Sequence, residues 1–303
     1  MLVSPSSFGQ CGEEPNQLLR ENGWEIVNNP FGRKLTPVET VDLARQCQAI
    51  IAGVETYDRE VLNELPDLRC ISRVGVGMDS IDLDYALELG LNVRNTPDGP
   101  TQAVAELSIA LAFDLLRKIS LSDRNIRRGT WKKAIGNLIG AQTIGILGLG
   151  QIGKKAALLF QKFGCGVIAH DAFPDLEWMS KHNVANVDLD SLLKNSNVLC
   201  IHVSGQAEGT ALLGETELNK VKRNLKLVNL SRGGVVDESA LYEFLTQHED
   251  AGAAVDVFKQ EPYSGALADL ENTVLTPHLG SYAKEAKLRM ECLAVENMLE
   301  EVS

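Results

Sequence analysis

The stretch Thr143-Ile-Gly-Ile-Leu147-Gly148-Leu149-Gly150-Gln151-Ile152-Gly153 decides the fold of this chain. Its first five residues are apolar enough to form a buried strand, and its last six match the pattern G-x-G-x-x-G. A run with helical periodicity follows, and then a second apolar strand, Val167-Ile-Ala-His170, leads to Asp171. An acid about 20 residues beyond the first glycine completes the pattern of a strand–helix–strand unit that binds a dinucleotide.

Each glycine of the pattern has a separate physical reason. Gly148 permits the tight turn out of the strand, and Gly150 has no Cβ to keep a pyrophosphate from the backbone. Gly153 lets the helix pack closely on the strand, and the amides at the start of that helix bind the phosphates. The predicted cofactor contacts in this unit are Gly148, Gly150, Gln151, Ile152, Gly153 and Asp171.

Asp171 determines which dinucleotide is expected. Its carboxylate can accept hydrogen bonds from both ribose hydroxyls and would repel a 2′-phosphate, and no arginine occurs among the next residues, Ala172-Phe173-Pro174. The sequence therefore predicts NAD as the cofactor. The alternative, a glycine turn with a purely structural role, accounts for less of the pattern.

Length and composition limit the classes of protein to consider. The chain has 303 residues, with 44% hydrophobic and 23% charged residues, which suits two globular domains. A net charge of −12 argues against nucleic-acid binding through a basic surface. No apolar run is long enough for a membrane span, and the first residues lack the features of a signal peptide.

The six cysteines are scattered and contain no C-x-x-C pair, so we expect neither disulfides nor a metal site. This cysteine usage favours a reducing cytoplasm as the location of the protein.

Strand and helix patterns alternate along the whole chain. Before the glycine-rich loop, apolar strands are predicted at 49–52, 68–74 and 91–93. A long apolar helix is expected from Thr101 through the basic stretch to Gly129. Further strands are predicted at 198–201, 226–230, 251–256 and 273–276, and a helix at 282–302 that returns to the first domain. The alternation predicts parallel, doubly wound sheets.

Four polar residues lie at predicted strand ends, where parallel sheets bind ligands. They are His202, Arg232, Glu261 and His278. A guanidinium suits a bidentate grip on a carboxylate, a histidine suits acid–base chemistry near neutral pH, and a carboxylate can orient that imidazole. Each residue alone also fits an ordinary turn or loop position, but together they suit hydride transfer to a 2-keto acid. His202 is assigned to the adenine side of the cofactor.

With these residues in hand, the chain resembles the D-2-hydroxyacid dehydrogenase family, and most of all its 3-phosphoglycerate dehydrogenase branch. The resemblance covers nearly the whole chain. Its segments are Val74-Gly-Val-Gly-Met-Asp-Ser-Ile-Asp82, Asn95-Thr-Pro97, Ala105-Glu106, Ile146-Leu-Gly-Leu-Gly-Gln-Ile-Gly153, Leu230-Ser-Arg-Gly-Gly-Val-Val-Asp237, Ala254-Val-Asp-Val-Phe258 with Glu261-Pro262, and Pro277-His-Leu-Gly280.

The resemblance implies an α/β protein of two domains. A Rossmann NAD-binding domain, residues 98–280, is inserted in a flavodoxin-like substrate domain built from residues 1–97 and 281–303. It implies Arg232, Glu261 and His278 as the catalytic set. The substrate is held by Gly75, Val76 and Gly77 together with Arg232 and His278, and Asp256 meets the nicotinamide carboxamide. The other predicted cofactor contacts are His202, Val203 and Ser231.

The resemblance also implies a homodimer that acts on a D-2-hydroxy acid or 2-keto acid, with 3-phosphoglycerate as one candidate. The phosphoglycerate branch commonly carries Arg-Ser at the end of the second strand, where this chain has Gly53-Val54-Glu55. Two alternatives stay open. One is an NAD(H)-sensing binding protein of the corepressor type without significant turnover. The other is a formate-type dehydrogenase, which pairs its histidine with glutamine, whereas this chain has Glu261.

Overall fold

A computed structural model of the chain describes residues 1–204 and 211–302. The chain forms two compact units: Met1–Pro100 with Ser281–Ser303, and Thr101–Gly280. The sequence placed the corresponding boundaries at 97/98 and 280/281. Both units are α/β, as predicted.

The first unit is built on a five-stranded parallel sheet. Its strands are β1 (Leu2–Val3), β2 (Val27–Asn28), β3 (Ala49–Ala52), β4 (Cys70–Arg73) and β5 (Asn92–Arg94). Its helices are α1 (Glu14–Glu21), α2 (Pro37–Ala44), α3 (Arg59–Asn63), α4 (Leu83–Glu88) and α12 (Lys284–Val302). The strand order β2-β1-β3-β4-β5 is the flavodoxin-like order.

Local sequence explains the elements of this unit. All four residues of β3 are buried, as expected for a strand covered by helices on both faces. Thr36 begins α2 with a capping box, because its hydroxyl accepts a hydrogen bond from the Glu39 amide while the Glu39 side chain accepts one from the Thr36 amide. Asp58 and Asp82 cap α3 and α4 with their carboxylates, which accept hydrogen bonds from the Val61 and Tyr85 amides.

The second unit contains a seven-stranded parallel sheet. Its strands are β6 (Thr143–Leu147), β7 (Gly166–His170), β8 (Ala185–Asn186), β9 (Val198–Ile201), β10 (Lys226–Asn229), β11 (Gly252–Val255) and β12 (Thr273–Leu275). Its helices are α5 (Thr101–Arg117), α6 (Ile119–Arg127), α7 (Gln151–Lys162), α8 (Leu176–Lys181), α9 (Leu189–Asn195), α10 (Glu215–Leu218) and α11 (Glu238–Gln247).

The strand order of this sheet is β12-β11-β10-β9-β6-β7-β8. The direction of winding therefore reverses between β6 and β9, and a doubly wound sheet binds its ligand beyond the carboxyl ends of the strands at that point. The glycine-rich loop follows β6, so the fold places it at the reversal.

The long helix predicted from Thr101 to Gly129 is wrong as a single element. Helix α5 ends at Arg117, Lys118 takes a left-handed conformation with φ 55°, and α6 begins at Ile119. The Asp114 carboxylate accepts hydrogen bonds from the amide and the hydroxyl of Ser120. This side chain caps the first turn of α6, which stabilises the break.

Within the described part of the chain, no helix is both long and apolar enough to cross a bilayer. The same residues contain no group of three or more side chains placed to hold a metal ion. All six cysteines are free thiols.

Candidate active site

The turn after β6 requires glycine at two positions. Gly148 has φ +91°, and a Cβ there would lie 2.8 Å from the carbonyl carbon of His202 and the amide of Val203. A Cβ at Gly153 would lie 2.1 Å from the carbonyl oxygen of Gly148. Neither position has room for a side chain. Glycine at 148 lets the loop pack against the end of β9, and glycine at 153 lets α7 pack against the loop.

Gly150 differs, because the fold itself does not require a glycine there. Its φ is −69°, and a Cβ would meet no atom within 4 Å. It caps α7, and in the described residues no acceptor binds the N–H groups of Gln151 or Ile152. Free amides at a helix N-terminus beside open space suit a phosphate group. The loop therefore fits a dinucleotide pyrophosphate.

Asp171, at the end of β7, is bonded to the glycine-rich loop. Its Oδ2 accepts a hydrogen bond from the Leu149 amide at 2.6 Å, and its Oδ1 accepts one from the Phe173 amide at 2.8 Å. Each carboxylate oxygen has a further lone pair for a ribose hydroxyl. The bond to Leu149 was not foreseen from the sequence, and it makes Asp171 a support of the loop as well as the predicted ribose ligand.

We expect Asp171→Ala to weaken NAD binding and to relax discrimination against NADP. Loss of the charge-assisted bonds to the ribose should cost about 1.5–3 kcal/mol of NAD binding free energy. NADP should be affected less, because the same change removes the repulsion of its 2′-phosphate. Titration of both cofactors, with a thermal melt to register the lost Leu149 bond, checks the prediction. Equal affinities in variant and wild type for both cofactors would refute the ribose role.

His202 and Val203 follow β9, beside the glycine-rich loop. The His202 Nε2 lies 3.5 Å from the Ser108 hydroxyl, while its Nδ1 is enclosed and has no hydrogen-bond partner among the described residues. Burial lowers the pKa of His202 to about 4, so the ring is neutral at physiological pH. An enclosed nitrogen without a partner is consistent with a ligand contact at this position.

The loop after β10 sets the position of Arg232. The buried Asn229 accepts hydrogen bonds at its Oδ1 from the amide and the hydroxyl of Ser231, at 3.1 and 2.7 Å. Arg232 donates from Nη1 to the Ser231 carbonyl at 2.9 Å. A Cβ at Gly233 would lie 2.0 Å from the carbonyl oxygen of Phe258. The Arg232 turn is therefore packed directly against the loop that follows β11.

Glu261 and His278 form a hydrogen-bonded pair. The His278 Nδ1 lies 2.9 Å from the Glu261 Oε2, and the Glu261 Oε1 accepts a hydrogen bond from the Phe258 amide at 3.0 Å. The imidazole is thus held through Nδ1, and its Nε2 is the nitrogen left for proton exchange. Phe258 also contacts Gly233, so Arg232, Glu261 and His278 lie on one connected set of loops.

Asp256 anchors the turn that carries His278. Its buried carboxylate accepts three hydrogen bonds: from the Thr276 hydroxyl at 2.5 Å, the Leu279 amide at 2.7 Å and the Gly280 amide at 2.9 Å. His278 itself has φ 55° and donates its amide to the Asp256 carbonyl. These hydrogen bonds stabilise the left-handed turn at His278, a conformation that residues other than glycine seldom adopt. The nicotinamide contact of Asp256 stays a prediction.

The predicted substrate loop, residues 75–77, belongs to the first unit and follows β4. Gly75 has φ +128° and donates its amide to the Thr96 hydroxyl at 2.7 Å, and the Asn95 amide group donates to the Val76 carbonyl at 2.8 Å. In the described part of the chain, no acceptor is bonded to the N–H of Val76 or of Gly77. Two free neighbouring N–H groups suit an anion such as a carboxylate.

Sequence reasoning missed several residues that position the site: Asn229, Thr276 and Thr96. Asn229 had a recognisable pattern, since an asparagine two residues before a serine at a strand end commonly forms an Asx turn. Thr276 and Thr96 had none, because their partners, Asp256 and Gly75, are distant in sequence.

Comparison with known proteins finds a matching family and several similar sequences. Residues 109–280 match the family described as D-isomer specific 2-hydroxyacid dehydrogenase, NAD binding domain. The D-3-phosphoglycerate dehydrogenase of Archaeoglobus fulgidus is 36% identical over 293 residues, covering 95% of this chain and 55% of that protein. The glyoxylate reductase of Korarchaeum cryptofilum is 35% identical over 268 residues, covering 86% of this chain and 81% of that protein.

A solved structure of a Thermus thermophilus protein aligns with a TM-score of 0.88 at 32% identity, over 98% of this chain and 95% of that one. The chain spans about half the length of the D-3-phosphoglycerate dehydrogenases that it matches.

Proposed function

The chain belongs to the D-isomer specific 2-hydroxyacid dehydrogenase family, and from that premise we propose that it is an NAD-dependent oxidoreductase that interconverts a D-2-hydroxy acid and its 2-keto acid. The predicted family, the two-unit α/β fold and NAD as the cofactor are confirmed. The substrate, the roles of single residues, the homodimer and the cytoplasmic location remain proposals.

The proposal rests on the hydrogen bond of 2.9 Å between His278 Nδ1 and Glu261 Oε2. The loops that carry these two residues pack against the Arg232 turn. In the direction of reduction, Arg232 binds the substrate carboxylate and His278 gives a proton from Nε2 to the oxygen on C2. Glu261 holds the ring through Nδ1 and so fixes the direction of Nε2. In the oxidation direction His278 takes the same proton back.

The residues present also fit the cofactor. Residues 148–153 offer free amides and an open space for the pyrophosphate, Asp171 would hold the ribose, and His202 offers an enclosed nitrogen without a partner. Val203, Ser231 and Asp256 complete the proposed contacts. When bound, the nicotinamide supplies or accepts the hydride. The free N–H groups of Val76 and Gly77 support a role in binding the substrate carboxylate.

An assay of purified protein with NADH and a panel of 2-keto acids tests the proposal. Glyoxylate, pyruvate, hydroxypyruvate and the phosphate ester of hydroxypyruvate form the panel, and we expect NADH oxidation with at least one of them. No turnover with any member contradicts the proposal. NADH binding without turnover, together with a stable protein partner, would favour the cofactor-sensing alternative.

A further inference from the structure

Three polar side chains lie in a row across the carboxyl ends of three neighbouring strands in the second unit. Asn229 ends β10, Asp256 follows β11 and Thr276 follows β12. The Asp256 amide donates to the Asn229 carbonyl at 3.1 Å. The Thr276 amide donates to the Val255 carbonyl, also at 3.1 Å. The row is therefore fixed to the sheet by its backbone, which leaves its side chains to hold the loops beyond the sheet edge.

At the β12 end of the row, the Thr276 hydroxyl fixes the carboxylate that holds the His278 turn. It donates at 2.5 Å to the Oδ1 of Asp256, the same oxygen that accepts the Leu279 amide. The His278 amide donates to the carbonyls of Asp256 and Thr276, at 2.9 and 3.0 Å. Glu261 restrains only the ring of His278, whereas these bonds restrain the backbone from which the ring extends. Loss of the Thr276 hydroxyl would remove one restraint on the rotation of the Asp256 carboxylate.

At the β10 end of the row, Asn229 holds the Arg232 turn. Its Oδ1 accepts hydrogen bonds from the amide and the hydroxyl of Ser231, the residue directly before Arg232. The Asn229 side chain is 2% exposed, so these bonds are shielded from water. The bond from the Asp256 amide to the Asn229 carbonyl joins this end to the other. The row therefore connects the Arg232 turn to the His278 turn through hydrogen bonds at every step.

We propose that Thr276 and Asn229 are positioning residues that act on different steps of the reaction. This inference rests on the proposed function, in which Arg232 binds the substrate carboxylate and His278 gives a proton to the oxygen on C2. Thr276 acts through His278 on proton transfer, and Asn229 acts through Arg232 on substrate binding. Misplacement of a reacting group by about 1 Å can cost about 10²-fold in rate, so a side chain with no assigned contact to substrate or cofactor can matter this much.

Thr276→Val tests the His278 end, because valine keeps the branched shape of the side chain and removes the hydroxyl. We expect kcat for keto-acid reduction, and the single-turnover rate of NADH oxidation, to fall about 10- to 10²-fold. The KM for the keto acid and the Kd for NADH should change by less than about threefold, since the lost bond affects only the proton-transfer step. Thr276→Ser restores the hydroxyl and should recover most of the rate.

Thr273→Val is the matched control on the same strand. Thr273 begins β12, far from the His278 turn, and its buried hydroxyl is hydrogen-bonded to the carbonyls of Leu267 and Leu270, at 2.9 and 2.8 Å. Thr273→Val should lower Tm at least as much as Thr276→Val does, yet keep kcat close to wild type. Equal losses of kcat in the two valine variants, or no recovery in Thr276→Ser, overturn the proposal.

Asn229→Ala tests the Arg232 end. We expect the KM for the keto acid to rise about tenfold, with a smaller change in kcat, because the turn that carries Arg232 loses its acceptor. Oxamate, an unreactive analogue that keeps the carboxylate, should bind to the NADH complex about tenfold more weakly in calorimetric titration. A variant that loses kcat but binds oxamate normally contradicts the division of roles. If Asn229→Ala does not fold, the three threonine variants decide. A wild-type protein without turnover on any keto acid would instead contradict the proposed function.

Discussion

Replacement of His278 by alanine is expected to lower kcat for keto-acid reduction by about 10²–10⁴-fold while NADH binding stays nearly unchanged. The reason is that His278, held by Glu261 through Nδ1, is the only group to which we assign proton transfer at the C2 oxygen. The glycine-rich loop and Asp171 make no described contact with its side chain, so cofactor affinity should survive. Steady-state kinetics with a productive keto acid, and a fluorescence titration of NADH, measure the two quantities separately.

A second variant is needed because the backbone of His278 is left-handed. With φ 55°, alanine would bear the left-handed strain of about 1–2 kcal/mol that His278 also bears, whereas asparagine tolerates the left-handed region better. His278→Asn should therefore keep the turn and still lose the activity. His182→Ala, which removes a histidine that stacks on Trp178, is the matched control and should keep full activity. If both position-278 variants retain kcat close to wild type, His278 is not the acid–base group.

The periodicity of the sequence predicted the strands that carry the chemistry. The predicted strand at 198–201 coincides with β9, and the predicted helix at 282–302 corresponds to α12. Buried parallel strands are continuous apolar runs, so their ends, and the polar residues just beyond them, can be read from one chain. The three two-residue strands, β1, β2 and β8, were not predicted, because two residues carry no periodicity.

The contacts that hold the site together were much less accessible from the sequence. The Asp256 carboxylate binds one hydroxyl and two backbone amides, and backbone amides are present at every residue whatever its type. Nothing in the sequence indicates which of them a carboxylate will meet. The same limit applies to the buried cluster of Ser4, Gly53 and Glu55, which joins the ends of β1 and β3. Ser4 lies 51 residues before Glu55 in the sequence, and only the pairing of β1 with β3 brings them together.

Replacement of Gly150 by valine is expected to weaken NADH binding by about 10²-fold or more without unfolding the second unit. A Cβ at Gly150 meets no protein atom within 4 Å, so the side chain would occupy the space that we assign to the pyrophosphate. Loss of one or two charge-assisted hydrogen bonds to the phosphates, at about 1.5–3 kcal/mol each, corresponds to that loss of affinity. The poorer helix cap costs about 1 kcal/mol of stability, partly offset by lower entropy of the unfolded chain.

Gly166 provides the matched control for this prediction. It is the exposed first residue of β7, and a Cβ there also meets no atom within 4 Å, yet no cofactor contact is assigned to it. Gly166→Val should therefore leave both the melting temperature and NADH affinity close to wild type, since valine suits a strand. Calorimetric titration of NADH into both variants, with thermal melts, makes the comparison. If Gly150→Val binds NADH as tightly as Gly166→Val does, the pyrophosphate does not lie against residue 150, and the assignment of this loop is wrong.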